Sequence, residues 1–247
     1  RRTGRFILRC LRFHDAGEII MTIQVLGLNA SPRGKESRTL RLVEAVLSGA
    51  RDEGAKTECT DVYSLDIQYC NACTACYATG ECVLCDDFPE LFGKMMDADG
   101  IVLGAPNYID SIPAPMKAVF DRMADAVHCR MFSGKYGCSV CTAGGANHER
   151  IVEYLNHALN SFGAITVGGV GVSVGRGVDA LSEGEKNARA LGRTLVQSIR
   201  GEHVYPDQEE YQRERRDYFR QLILWNKDQW THEYEWYVQN GWIKEED

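Results

Sequence analysis

The chain has 247 residues, of which 44% are hydrophobic and 26% charged, and 28 Lys and Arg against 35 Asp and Glu give a formal net charge of −7. This length can bury a sizeable core without disulfide bonds, which excludes the small disulfide-stapled scaffolds. The acidic balance argues against a nucleic-acid or anionic-membrane surface, since both need concentrated positive charge. The apolar runs are too short or too glycine-rich to span a bilayer, so no membrane partner is expected.

Residues 1–20 precede the first regular pattern and carry five Arg among apolar residues. Arg9 and Arg12 interrupt the only candidate for the apolar stretch of a secretory signal, and Arg1-Arg2 is a poor twin-arginine signal. We therefore expect this segment to be a cloning remnant or an upstream translated segment. The folded domain is expected to begin at Met21, and the protein is expected to be cytoplasmic.

From Met21 onward, β-rich apolar runs alternate with amphipathic segments of helical length, which is typical of parallel βαβ units. Strands are predicted at 22–28, 56–62, 100–105, 136–142 and 164–174. Helices are predicted at 37–53, 87–96, 114–127, 148–162 and 182–200. The right-handed crossover rule leaves few topologies for five strands, and a common one is the flavodoxin-like order 2-1-3-4-5. We predict an α/β, doubly wound parallel sheet over residues 21–203, followed by a helical, aromatic-rich extension over residues 204–247.

In that topology, ligands bind beyond the carboxyl ends of strands 1, 3 and 4. The loop after strand 1 is rich in hydroxyl groups and runs directly into a helix, whose N-terminus favours an anion. Ser31, Ser37 and Thr39 beside Arg33 therefore suit a monophosphate, although Ser37 alone can be explained as a helix cap. The loop lacks the glycine spacing of a Walker loop or a dinucleotide fingerprint.

The loops after strands 3 and 4 reach the same edge. Tyr108 with Pro106 offers an apolar wall for a flat ring, and the Gly144-Gly145 pair allows a close backbone approach. Ordinary turn chemistry explains each loop equally well when it is considered alone. Tyr108 and His148 are weak candidates for a catalytic acid, because lone residues in such loops are more often structural.

Half of the ten cysteines fall within sixteen residues, in the spacing C-x2-C-x2-C-x5-C-x2-C. They are Cys70, Cys73, Cys76, Cys82 and Cys85. Three thiolates at i, i+3 and i+6 can wrap one face of an iron-sulfur cubane, and a fourth can close it. Structural zinc normally uses two cysteine pairs separated by a longer stretch of chain, and disulfides are disfavoured without a secretory signal. Zinc and metal-free thiols remain as alternatives.

Three stretches carry a resemblance to a known family: GLNASPR at 27–33, ADGIVLGAPNY at 98–108 and MKAVFDR at 116–122. They resemble the FMN-binding, flavodoxin-like NAD(P)H-dependent reductases, and the cysteine spacing resembles that of the iron-sulfur flavoproteins. The resemblance covers about residues 22–200 and implies FMN and a 4Fe-4S cluster. It implies an FMN site made of Ser31, Arg33, Ser37, Arg38, Thr39, Pro106, Asn107, Tyr108, Ile109, Ala143, Gly144 and Gly145. Arg38 departs from the family's small polar residue, so it either adds a phosphate contact or points to solvent.

The family's compact motif C-x2-C-x2-C-x5-C matches Cys70, Cys73, Cys76 and Cys82, which leaves Cys85 as an alternative ligand or a buried thiol. Because the cysteine block follows strand 2, beside strand 1, the cluster and the flavin are expected to be neighbours. In the family the cluster approaches a flavin across a subunit interface. The resemblance therefore implies a homodimer or a homotetramer.

All four tryptophans lie in the last 23 residues, at Trp225, Trp230, Trp236 and Trp242. Such a tail buries a large area, so we expect it to pack against the domain or a partner subunit, with a lid over the flavin as the alternative. The preceding stretch, 208–220, is expected to be a solvated helix.

These features predict an FMN- and 4Fe-4S-containing oxidoreductase that couples two-electron flavin chemistry to one-electron transfer through the cluster. The expected donor is NAD(P)H or ferredoxin, and the expected partner a small-molecule substrate or a redox protein such as ferredoxin. No nicotinamide site is visible, because 169–175 misses the dinucleotide spacing by one residue. The alternatives are a flavin-dependent reductase or dehydrogenase of one specific small organic substrate, a non-catalytic flavodoxin-like electron carrier, and a zinc-stabilised interaction module without flavin.

Overall fold

The structure is a computed structural model that describes residues 22–176 and 178–244, without the side chains of Arg176 and Val178. Five parallel strands form one sheet in the order β2-β1-β3-β4-β5, which confirms the predicted topology. The strands are β1 Gln24–Asn29, β2 Lys56–Asp61, β3 Gly100–Pro106, β4 Tyr136–Ala143 and β5 Ile165–Ser173. The expectations for residues 1–20 and for Met21 lie outside the described residues.

Nine α-helices are described in these two ranges. They are α1 Arg38–Asp52, α2 Ala75–Thr79, α3 Phe88–Asp97, α4 Ala114–Asp121, α5 Ala124–His128, α6 His148–Phe162, α7 Val178–Ile199, α8 Pro206–Trp225 and α9 Thr231–Gln239. Single 3-10 turns occupy Gly34–Glu36, Val62–Ser64 and Val174–Arg176. In the described part of the chain, no helix combines the length and the apolar character needed to cross a membrane.

Helices cover both faces of the sheet, as expected for parallel strands made mainly of apolar residues. Every residue of the central strand β3 is buried, which is typical of a parallel strand with helices on both sides. Side chains alternate between the faces with a period of two, so Val102 packs with α1 and α7 while its neighbour Ile101 packs with α3, α4 and α6. The carboxyl ends of β1, β3 and β4 are therefore left free to form a site at one edge.

Helices α1 and α7 pack unusually closely because two glycines lie at their contact. A Cβ atom on Gly192 would lie 1.9 Å from the carbonyl oxygen of Val46, and one on Gly49 would lie 1.9 Å from the carbonyl oxygen of Arg189. Asp52 links the same helices by accepting from Arg189 and Arg193, and the contact with Arg189 lowers the pKa of Asp52 to about 2. This packing holds the C-terminal half of α1, the helix that follows the predicted phosphate loop.

The predicted helix 114–127 is divided into α4 and α5, because the chain turns at Arg122 and Met123. The side chain of Arg122 is fully buried there against Asp86. Helix α7 begins at Val178, earlier than the predicted 182, and α8 extends beyond 220 to Trp225. Periodicity indicated these helices but not the tertiary contacts that end or extend them.

The C-terminal extension packs against the domain. Its core consists of Phe219, Ile223, Tyr237 and Ile243, with Trp230, Trp236 and Trp242 partly buried around it. Trp225 differs from the other tryptophans because it is 80% exposed. Helix α8 is therefore solvated on one side only, and its last turns form a packed apolar face.

Candidate functional site

The predicted phosphate loop leaves β1 through a chain of local hydrogen bonds. The Ser31 N–H donates to Asn29 Oδ1 at 3.3 Å, and the loop then forms the 3-10 turn Gly34–Glu36. The Ser37 hydroxyl accepts from the Leu40 N–H at 3.0 Å, so this side chain caps α1. The hydroxyl proton of Ser37 is still available to donate, so its expected role as a phosphate ligand stays a prediction.

A cavity of about 190 Å³ lies at the carboxyl edge of the sheet, beside this loop. Nine of the residues predicted for the FMN site line it: Ser31, Arg33, Arg38, Thr39, Pro106, Asn107, Tyr108, Ala143 and Gly144. Two further residues, Thr142 and Val174, were not predicted. Three predicted residues, Ser37, Ile109 and Gly145, are not part of the lining. Thr142 directly precedes Ala143, the last residue of β4, so its position near the carboxyl end of the strand was the signal that could have identified it.

The cavity contains polar atoms that need a ligand or water. Among the described residues, the buried Oδ1 atom of Asn107 in its lining has no hydrogen-bond partner, and neither has Nδ2 of Asn29, the last residue of β1, which does not line the cavity. The hydroxyls of Thr39 and Thr142 lie 2.6 Å apart, which joins the first turn of α1 to the end of β4. A Cβ atom on Gly144 would meet nothing within 4 Å. Two arginines, hydroxyls, an unpaired amide oxygen and open space beside a helix N-terminus fit a phosphorylated ligand such as FMN.

The loop that carries Tyr108 is a tight two-residue turn. The Tyr108 N–H donates to the Ser111 carbonyl at 2.9 Å, and the Ser111 N–H donates back at 3.1 Å. Ile109 and Asp110 between them have φ angles of 52° and 55°, a left-handed conformation that is costly for a β-branched residue. Asp110 accepts from Asn147 at 2.8 Å, and this bond lowers the pKa of Asp110. The turn is thus tied to the loop after β4.

The two weak catalytic candidates lie in different places. Tyr108 lines the cavity and is 43% exposed. His148 is the first residue of α6, and its ring packs against Gly171, where a Cβ atom would lie 2.4 Å from His148 Nδ1. Only Tyr108 is therefore in position to contact a molecule in this cavity.

Four of the five clustered cysteines line one hollow: Cys70, Cys73, Cys76 and Cys82. Cys85 is exposed and does not line it. Left-handed φ angles of 56° at Ala72 and 60° at Thr74 wind the loop, and the short helix α2 follows. The hollow holds about 20 Å³, and an adjoining cavity of about 400 Å³ shares Cys76 and Cys82 with it. Four cysteines that line one hollow match the number and type of ligands of a 4Fe-4S cluster.

Arg122 lies beside this hollow with a fully buried side chain. It donates to both carboxylate oxygens of Asp86 and, at 3.0 Å, to the carbonyl of Gln68. Its Nε atom is buried and has no hydrogen-bond partner in the described part of the chain. Burial would lower the pKa of Arg122, but Asp86 and Cys82 raise it on balance. A permanent positive charge therefore lies next to Cys82.

The aromatic extension contacts the cysteine block and not the phosphate cavity. The ring of Tyr77 in α2 packs against His128, at 4.7 Å, and Trp230, at 5.0 Å, and those two rings also stack on each other. His128 Nδ1 lies 2.9 Å from an oxygen of the fully buried Glu233, whose pKa is raised to about 7 by burial. No described residue of α8 or α9 lines the phosphate cavity, so the extension supports α2 and does not cover that cavity as a lid.

The cavity and the cysteine hollow share no lining residue within the described chain. The cavity lies after β1, β3 and β4 and the hollow lies after β2, and these strands all end at the same edge of the sheet. The hollow extends away from that edge to Arg122 at the end of α4. The expected proximity of flavin and cluster therefore stays a prediction for this chain, alone or in an assembly.

Comparison with known proteins identifies the family. The model for the NADPH-dependent FMN reductase family matches residues 23–179, more than half of the chain. An iron-sulfur flavoprotein of Archaeoglobus fulgidus is 32% identical over 185 residues, covering 73% of this chain and 82% of that protein. An iron-sulfur flavoprotein of Methanosarcina thermophila is 31% identical over 150 residues, covering 59% of this chain and 78% of that protein.

The fold has a solved counterpart in the NAD(P)H:quinone oxidoreductase from Methanothermobacter marburgensis. The two chains superpose with a TM-score of 0.58 and 19% identity, over 75% of this chain and 100% of that one. At this identity the likeness shows the fold alone. With the family match and the curated relatives, the chain belongs to the iron-sulfur flavoprotein family within the flavodoxin-like FMN reductases, and it is an FMN-dependent oxidoreductase.

Proposed function

We propose that this protein couples two-electron flavin chemistry to one-electron transfer through a 4Fe-4S cluster held by Cys70, Cys73, Cys76 and Cys82. The observation that carries the proposal is the convergence of these four thiols on one hollow, in a chain with a separate phosphate-type cavity. The chemistry that FMN and such a cluster supply together is exchange between two-electron and one-electron donors and acceptors. The proposed donor is NAD(P)H or ferredoxin, and the proposed acceptor a small molecule or a redox protein.

In this proposal the side chains around the phosphate-type cavity bind and orient the flavin. Arg33 and Arg38 neutralise the phosphate, with the Ser31 and Thr39 hydroxyls beside them. The amide of Asn107, which lines the cavity, then finds a partner on the ligand for its unpaired oxygen. The flavin ring would be faced by Pro106, Tyr108, Ala143 and Gly144. We assign no general acid to this chain.

We further propose a homodimer or a homotetramer. Both loops that would meet at the subunit interface carry exposed apolar side chains. In the cysteine block, Tyr69 and Val83 are 79% and 58% exposed. In the turn after β3, Ile109 is fully exposed. Ile109 is held outward by a strained turn, which is a costly conformation unless it serves a contact. A partner subunit's cysteine block could then lie over the flavin loop and bring the two redox groups together.

The experiment that tests the coupling is anaerobic purification followed by visible spectra, before and after dithionite, with flavin, iron and sulfide determined per chain. We expect flavin bands above a broad iron-sulfur absorbance, both bleached on reduction, and four iron atoms per chain. NADH, NADPH and reduced ferredoxin are then compared as donors by stopped flow. Flavin without iron would leave a simple FMN reductase and overturn the coupling.

Arg122 is expected to tune the potential of the cluster. Its buried positive charge beside Cys82 favours the reduced, more negative cluster, so Arg122→Gln should lower the midpoint potential, whereas Asp86→Asn should raise it. A change on the order of 50 mV corresponds to about 1 kcal/mol for a one-electron couple. Potentials are measured by titration monitored by electron paramagnetic resonance. A shift of the same sign in both variants would indicate a merely structural pair.

A further inference from the structure

A second group of metal-binding side chains lies outside both the phosphate cavity and the four-cysteine hollow. Asp125 in α5 and Cys129, which follows the last residue of α5, are separated by four positions and so lie on one helix face. His232, in the first turn of α9, is brought against them by the C-terminal extension. The group therefore joins the sheet domain to its aromatic tail.

The three donor atoms are already close to coordination geometry. Asp125 Oδ1 lies 3.6 Å from Cys129 Sγ, Asp125 Oδ2 lies 3.3 Å from His232 Nε2, and all three side chains offer donor atoms within 4.8 Å of one another. In a tetrahedral zinc site, bonds of about 2.0–2.3 Å place neighbouring ligand atoms about 3.3–3.8 Å apart. The described contacts fall in or near this range.

The contact between His232 and Asp125 is close but not a well-oriented hydrogen bond. The Nε2 atom of His232 is buried and, despite lying 3.3 Å from the Asp125 oxygen, makes no correctly oriented hydrogen bond with any described residue. The ring is held from behind by the backbone at Gly80, where a Cβ atom would lie 2.6 Å from Nδ1. Thr231 Oγ1 fixes the helix start by donating to the Ala78 carbonyl at 2.9 Å. The imidazole is thus held in place with Nε2 facing the Asp125 carboxylate.

Burial and charge also favour a cation. Asp125 is 7% exposed and Cys129 is fully buried. A divalent cation bound to one carboxylate and one thiolate gives a neutral site, which removes the cost of burying either charge alone. Imidazole, thiolate and carboxylate together suit zinc, whereas calcium and magnesium prefer oxygen ligands.

We propose that Asp125, Cys129 and His232 form a zinc site that fastens the C-terminal extension to the sheet domain, with a fourth position left for water or another ligand. The three residues do not line the four-cysteine hollow, although Asp125 lines the adjoining cavity together with Cys76 and Cys82. The zinc site does not depend on whether the chain couples flavin and cluster chemistry.

The test is metal analysis of the holoprotein, purified anaerobically without chelators and equilibrated with zinc before extensive dialysis. We expect one zinc per chain in addition to the cluster iron. Cys129→Ser and His232→Gln should each lose most of this zinc and keep their iron and flavin. Cys138→Ser is the matched control, because Cys138 is also fully buried but lies in β4, outside the proposed ligand set.

X-ray absorption at the zinc edge tests the ligand set without any variant. One sulfur at about 2.3 Å with nitrogen and oxygen ligands at about 2.0–2.2 Å is expected, whereas zinc in the cysteine block would show several sulfurs. Absence of bound zinc, a sulfur-only shell, or zinc retained in both Cys129→Ser and His232→Gln would overturn the proposal. Iron and sulfide content reports separately on the cluster, so the two proposals can fail independently.

Discussion

Replacing Cys82 by serine is expected to abolish the iron-sulfur cluster, whereas replacing Cys85 by serine is expected to leave it intact. Cys82 lines the hollow together with Cys70, Cys73 and Cys76, but Cys85 is exposed and lies outside the lining. A cubane needs four thiolates, so the loss of one ligand should reduce iron and sulfide to a small fraction of the wild-type content. Iron, sulfide and the resonance spectrum of the reduced protein are measured after anaerobic purification.

The two variants control for each other, because each removes one thiol from the same loop. Both should retain flavin, since the phosphate cavity shares no lining residue with the hollow. If Cys85→Ser lost iron while Cys82→Ser kept it, Cys85 would be the fourth ligand. Equal retention in both variants would mean that the two cysteines can replace each other.

The sequence alone could not distinguish Cys82 from Cys85, for a physical reason. Both follow the first three cysteines closely enough to close a cluster, and the choice depends on how the chain turns between them. The loop that carries the first three cysteines turns through left-handed residues at Ala72 and Thr74, and neither is a glycine that would signal such a conformation. Gly80, between Cys76 and Cys82, is left-handed as well, but a glycine there does not specify which later thiol faces the hollow. The spacing therefore predicted the site and three ligands, whereas the structure favours one of the two candidates for the fourth.

In the rest of the fold as well, local sequence patterns could be predicted, whereas contacts between distant residues could not. Strand order followed from alternating apolar runs and the crossover rule, and loops at the ends of β1, β3 and β4 could be assigned to one edge. Pairs distant in sequence left no such pattern. The contacts Arg122 with Asp86 and Thr39 with Thr142 join residues 36 and 103 positions apart, and neither repeats at any spacing. These contacts emerge only when the elements pack.

Removing the positive charges at the phosphate end of the cavity is expected to weaken FMN binding selectively. Arg33 and Arg38 both line the cavity and are otherwise exposed, so Arg33→Gln and Arg38→Gln should leave the fold unchanged. A hydrogen bond to a charged group contributes about 1.5–3 kcal/mol, which corresponds to a roughly 10- to 150-fold loss of affinity for each variant. Flavin is removed, and FMN and riboflavin are titrated by fluorescence quenching.

Riboflavin and the Lys35→Gln variant are the controls that show whether the two arginines contact the phosphate directly. Riboflavin lacks the phosphate, so its affinity should be nearly the same in both arginine variants and in the wild type. Lys35 lies in the same loop, is exposed and does not line the cavity, so Lys35→Gln removes the same charge without the contact. If Lys35→Gln weakened FMN binding as much as Arg33→Gln, general attraction would be responsible. If neither arginine variant discriminated between FMN and riboflavin, the phosphate would bind elsewhere, and the assignment of this cavity to the flavin would fail.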